Sequence, residues 1–89
     1  MLSYIEFKDV EICLFHKNIA MNVKNIRKNK GITQLDLALA IGHKSVSTIA
    51  KIEASLEDKH YNLEHLYKIS KVLEVDIIDF FKVLQEENK

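Results

Sequence analysis

The 89-residue sequence predicts an all-α fold, and three observations carry that expectation. With no proline and only two glycines, little interrupts helix propagation. Hydrophobic residues make up 47% of the chain, enough for the one core that a chain of single-domain length can build. Apolar positions recur at spacings of three and four over most of the sequence, the helical period rather than the strand period.

Residues 1–15 fit two patterns. Ser3 and Glu6 could form a capping box, whereas Ile5 and Phe7, then Val10, Ile12 and Leu14, alternate like strand residues. Helix is favoured and strand stays open. Either way Tyr4, Ile5, Phe7, Val10, Ile12, Leu14 and Phe15 carry too much apolar surface to leave in water, so the segment is expected to pack on the bundle or on a second subunit. From Asn18 to Lys30, Ile19, Val23 and Ile26 form the inward stripe of a first regular helix, with Lys24, Arg27 and Lys28 on or beside the opposite face. Gly31 is placed to end it and Thr33 to cap a second helix over 33–41, whose core set is Leu37, Ala38 and Ile41 and whose stop is Gly42. Ser45 is the expected cap of a third helix over 45–55 carrying Ile49 and Ile52 inward. Residues 56–61 have no period and read as a loop. Asn62 then caps a fourth helix with Leu63, Leu66, Ile69, Val72 and Leu73 inward, ending near Glu74. Asp76 caps a fifth, with Ile77, Phe80, Phe81 and Leu84 on one side, before a polar tail that frays. The expected organisation is an N-terminal extension over 1–17, a helical domain over 18–84 and a tail over 85–89.

Thirteen basic and thirteen acidic residues cancel, but not locally. Residues 1–16 sum to −2, residues 17–51 to +6 and residues 52–89 to −4. A basic block in a compact domain is usually a solvated face, yet it is also the footprint that an anion such as nucleic acid would need. Cys13 stands alone in an apolar run, so it can form neither an internal disulfide nor a thiolate zinc site and reads as a buried structural thiol. His16, His43, His60 and His65 have no partner at the i, i+4 spacing of a helical metal site, and no paired carboxylates, nucleophile setting or glycine-rich phosphate loop appears. No metal, cofactor or enzymatic activity is expected. No apolar run approaches the roughly 20 residues that span a bilayer, and Glu6, Asp9 and Glu11 are incompatible with a signal peptide, so a cytoplasmic protein is expected.

Two short helices joined by a tight glycine-containing turn form a helix-turn-helix arrangement. The individual residues make it specific. Ile26-Arg27, Lys30-Gly31-Ile32-Thr33-Gln34, Leu37-Ala38, Ile41-Gly42, Ser47-Thr48-Ile49 and Lys51-Ile52-Glu53 are followed by Leu63, Leu66, Ile69, Leu73-Glu74-Val75-Asp76 and Phe80-Phe81. Over about residues 18–82 this pattern resembles the Cro/CI-type, or XRE, family of bacterial and phage regulators. Two departures stand out: one extra residue near His43-Lys44, and Glu74 where the family often has glycine.

The resemblance implies a lambda-repressor-like five-helix bundle, with residues 1–17 as an addition, that binds double-stranded DNA as a homodimer and regulates transcription. Its third helix would enter the major groove, with Ser45, Val46, Ser47 and Thr48 facing base edges and Lys51 at the far edge. Hydroxyls can donate to or accept from several bases, a Val methyl suits a thymine methyl, and Lys reaches guanine or phosphate. Thr33 and Gln34 at the start of the second helix, with Lys24, Lys28 and Lys44, would contact phosphates. Arg27 and Glu53 sit where the family pairs an arginine of the first helix with a glutamate of the third, a structural ion pair. The alternative is a protein-interaction module, such as an antitoxin that binds a toxin through the N-terminal segment.

Overall fold

The computed structural model describes residues 6–83. They form four α-helices, α1 (Asp9–Asn29), α2 (Gln34–Ala40), α3 (Ser47–Glu53) and α4 (Leu63–Leu73), and a closing 3-10 turn over Ile77–Phe81, with no strand among the described residues. Ser3, Tyr4, Ile5, Leu84 and the tail 85–89 lie outside that range.

Helix α1 corrects the strand alternative for residues 9–15 and crosses residue 17 without a break. Nothing between Asp9 and Asn29 is Gly or Pro, so nothing interrupts the helix between its core-packed turns at Ile19 and Val23 and its start at Asp9. Asp9 and Glu11 in its first turn, and Arg27 and Lys28 in its last, complement the helix dipole.

The fifth α-helix is also corrected, to a 3-10 turn. Asp76 does cap it, its carboxylate accepting from the Ile78 N–H at 3.2 Å, but the chain returns to extended backbone at Lys82. The reason lies on α1. The amide of Asn22 donates to the carbonyls of Phe80 (2.9 Å) and Lys82 (2.7 Å), and Asn18 also donates to Lys82 (3.0 Å). Carbonyls that a continuing helix would point along its axis are turned onto α1 instead.

The core collects Ile19, Ala20, Val23, Leu37, Ala38, Ile41, Ile49, Ile52, Leu66, Ile69, Leu73 and Phe80 from all five elements, with Ile26, Val72 and Ile77 partly buried against it. Tyr61, in the stretch read as loop, is buried with them. Three expectations are corrected. Leu63 is exposed because the first residue of α4 overhangs the bundle, Phe81 is exposed because the 3-10 turn rotates it off the Phe80 direction, and Cys13 is exposed because this part of α1 extends beyond the core. For the same reason Phe7, Val10, Leu14 and Phe15 do not pack on the bundle.

All four helices end in the same way, with an N–H reaching back five residues: Ile32 to Arg27, His43 to Ala38, Leu56 to Lys51 and Val75 to Ser70, at 2.9–3.1 Å. This closure needs a left-handed residue at each end. Gly31 (φ +72°) and Gly42 (φ +95°) supply two of them, and Ser55 (φ 59°) and Glu74 (φ 58°) supply the others without glycine.

Candidate nucleic-acid interface

Helices α1, α2 and α3 are locked together by one buried ion pair. Arg27 Nε donates to Glu53 Oε2 at 2.9 Å and Nη2 donates to Oε1 at 2.9 Å, a bidentate arrangement, while Nη1 donates to the Ile32 carbonyl at 2.6 Å. Both side chains are almost wholly withdrawn from solvent. Gln34, at the first turn of α2, donates its amide to Glu53 Oε1 at 2.8 Å, so the second helix is tied to the same carboxylate. Tyr61 is buried within electrostatic reach of the pair, and its hydroxyl has no hydrogen-bond partner among the described residues. Burial, reinforced by Glu53 and opposed by Arg27, pushes its phenol far above the ordinary value and keeps it neutral.

At the start of α2, Thr33 Oγ1 accepts from the Asp36 N–H at 3.0 Å, the expected cap. The Gln34 side chain is oriented by Glu53 rather than free, and its carbonyl oxygen is not used in that bond.

Helix α3 begins at Ser47 and ends at Glu53, shorter than the expected 45–55. The residue at its cap is Val46, not Ser45, and Ser45 instead accepts from the Ser47 N–H at 3.3 Å within the turn. Ser45 thus lies in the connection ahead of the helix. Ile49 and Ile52 face the core, so the 100° step sets Ser47 and Lys51, one turn apart, on the outer face with Thr48 at its flank. Ser45 and Ser47 are exposed; Val46, Thr48 and Lys51 are half-buried. Sequence reasoning missed Glu57, whose carboxylate lies 3.2 Å from Lys51 Nζ. Its signal was weak because Glu57 comes from an aperiodic loop.

Lys28 and Lys44 are exposed and Lys24 is half-buried, and among the described residues none of the three is in an ion pair. His43 sits with its ring 5.4 Å from that of His65. His65 completes a capping box with Asn62: Asn62 Oδ1 accepts from the His65 N–H at 2.7 Å, and the Asn62 N–H donates to His65 Nδ1 at 3.2 Å. Burial first, and the neighbouring His43 second, hold His65 below its ordinary value. Among the described residues no group of three His, Cys, Asp or Glu side chains could hold a metal ion, and no helix is long and apolar enough to cross a membrane.

A family model described as helix-turn-helix matches residues 23–80. The chain belongs to the Cro/CI-type helix-turn-helix family. Among solved structures it is similar to the N-terminal DNA binding domain of SinR from Bacillus subtilis, with 30% identity, a TM-score of 0.66, and coverage of 80% of this chain and 100% of that one. No curated protein matches it. Membership makes this helix-turn-helix protein a DNA-binding transcription regulator and not an enzyme. The matched region starts at Val23, so the N-terminal two-thirds of α1 is additional to the helix-turn-helix pattern.

Proposed function

We propose that the protein binds double-stranded DNA sequence-specifically as a homodimer, each copy laying α3 in the major groove of one half-site. The observation that carries this reading is the Arg27–Glu53–Gln34 lock, which fixes α2 against α3 through a buried carboxylate and leaves Ser47 and Lys51 on the outer face of α3. Ser47 and Thr48 read base edges from the helix, Ser45 and Val46 from the turn before it, and Lys51 reaches guanine or phosphate at the far end. Hydroxyl readers are permissive, so the shape of the duplex contributes to specificity. Thr33 and Gln34 meet a phosphate at the start of α2. Glu53 holds the Gln34 amide, so the contact made by that side chain is through its orientation and not a free swing. Lys24, Lys28 and Lys44 contact further phosphates, which set register and add affinity without sequence information. Such a regulator acts in the cytoplasm by occupying an operator.

A second reading has an observation of its own. Phe7, Val10, Leu14 and Phe15 are exposed on α1, which suits a protein-interaction module, such as an antitoxin bound to a toxin, in which DNA contact is secondary.

Salt dependence separates the two. Binding to duplex DNA measured over a range of salt concentrations is expected to weaken with a log–log slope of about −0.9 per neutralised phosphate. Changing Lys24, Lys28 or Lys44 singly to Ala lowers that slope by about one for each contact removed. A flat response would remove the DNA reading.

A further inference from the structure

Of the lysines to which DNA contacts are given above, Lys51 differs from the rest. Among the described residues Lys24, Lys28 and Lys44 are in no ion pair, whereas the Lys51 ammonium lies 3.2 Å from a carboxylate oxygen of Glu57. The way α3 ends brings Glu57 there. The Leu56 N–H donates to the Lys51 carbonyl at 2.9 Å, and the Lys59 N–H donates to the Leu56 carbonyl at 3.1 Å. Ser55, Glu57 and Asp58 all take left-handed backbone (φ 59°, 57° and 52°) without being glycine, so the loop folds back sharply onto the helix it leaves. Lys51 is thus held twice by this loop, at its backbone by Leu56 and at its side chain by Glu57.

We infer that Glu57 is a specificity-determining residue: by pairing with Lys51 it bars that lysine from a bare phosphate and reserves it for the acceptor edge of a guanine. This role of Glu57 presupposes that α3 enters the major groove, as proposed above. The reason is a balance of charge. A free lysine gains at any phosphate, whatever the sequence beside it. The pair sums to zero, and its carboxylate would face the negative charge of the phosphate, so the backbone contact loses its attraction and acquires a like-charge penalty. Guanine O6 and N7 are neutral acceptors and bring no such penalty. An ammonium has three N–H donors and the carboxylate takes one, which leaves two for a base with the pair intact. Guanine alone presents two adjacent acceptors in the major groove, so two donors select it. In water an exposed pair of this kind adds little to stability, and its charge balance weighs more where DNA displaces the water around it.

The test measures duplex binding over a range of salt concentrations, and sequence selection on random duplexes, for the full chain as wild type, Glu57→Gln, Lys51→Ala and the two changes together. Glu57→Gln keeps the size of a side chain that is 57% exposed and removes its charge, so folding is preserved, which circular dichroism melting verifies. The released Lys51 is expected to neutralise one further phosphate. The log–log salt slope should then steepen by about 0.9, so that the advantage of Glu57→Gln on unrelated duplexes grows about eightfold for each tenfold drop in salt. The guanine preference at one position of each half-site should be lost at the same time. With Lys51 already alanine, Glu57→Gln should alter neither slope nor preference, because its effect passes through that ammonium. Asp58→Asn removes the neighbouring acid, which lines the cleft against α1, and should leave the guanine preference in place. A wild type that selects a sequence while Glu57→Gln matches it in slope and preference would overturn the role of Glu57 alone. So would an equal effect of Glu57→Gln without Lys51, which would reduce Glu57 to general repulsion of DNA. A wild type that selects no sequence removes the DNA reading, and the role of Glu57 with it.

Discussion

Arg27 is the single arginine among thirteen basic residues, and all of its nitrogen groups donate inside the protein: Nε and Nη2 to Glu53, Nη1 to Ile32. Its planar fork matches a carboxylate in a way that a lysine cannot, which is why the residue type is diagnostic here. Arg27→Ala leaves Glu53 buried and unpaired, and urea unfolding is expected to show a loss of about 3–5 kcal/mol. An unchanged midpoint would show that Gln34 suffices to hold the carboxylate. His65 gives a pH dependence. Its folded pKa lies below the ordinary 6.5, and its Nδ1 must stay unprotonated to accept from Asn62. The unfolded chain therefore takes up a proton first as pH falls, so this contribution is complete above pH 6.5 and is lost as pH drops through the folded value. His16, lowered by burial and by the stacked ring of His60 at 3.8 Å, acts in the same direction. Melting temperature should fall on acidification through this range. His65→Gln, which keeps an acceptor at the capping-box position, should make the fall shallower, and an equally steep fall would contradict the assignment. Glu74 stands where the family resemblance implies glycine, and its left-handed φ of 58° is the conformation that glycine adopts most readily. A left-handed non-glycine costs about 1–2 kcal/mol, partly offset by the greater freedom of glycine in the unfolded chain. Glu74→Gly should thus stabilise by on the order of 0.5–1 kcal/mol in urea unfolding, and destabilisation would contradict the closure described for α4.

The elements differ in how far the sequence revealed them, and each difference has a physical origin. Thr33, Asn62 and Asp76 were legible as caps because a short polar side chain before a periodic run has few other uses, and Gly31 and Gly42 because only glycine takes a left-handed φ readily. The beginning of α3 was not legible. Ser45 has the right chemistry, but it lies in the bend that precedes the helix, and Val46 stands at the cap with no side-chain bond. Its end was hidden because Ser55 performs a glycine's task. Nor could the 3-10 turn be distinguished from a helix, since what stops it is a long-range clamp by Asn18 and Asn22, some 58 to 64 residues away. In α1, residues 9–15 satisfied a strand pattern over a short window while continuity with Ile19 and Val23 decided for helix. The candidate readers follow from family resemblance, and the structure adds what no local pattern holds: that Lys51 pairs with Glu57 and that the Gln34 amide donates to Glu53.

At the scale of the whole molecule, a neutral chain separates its tasks by region. The stretch from 17 to 51 carries +6 and contains α2 and most of α3, the core is shared by all five elements, and the surplus apolar surface lies on the part of α1 that precedes the helix-turn-helix match. The central claim, that α3 reads duplex DNA, is tested most directly by selecting the purified protein on random duplexes at near-physiological salt, with a Ser47→Ala, Lys51→Ala variant alongside. Enrichment of an inverted repeat with half-sites about 34 Å apart, absent for the variant, is the expected result. No enriched sequence, or the same repeat recovered by the variant, would contradict it.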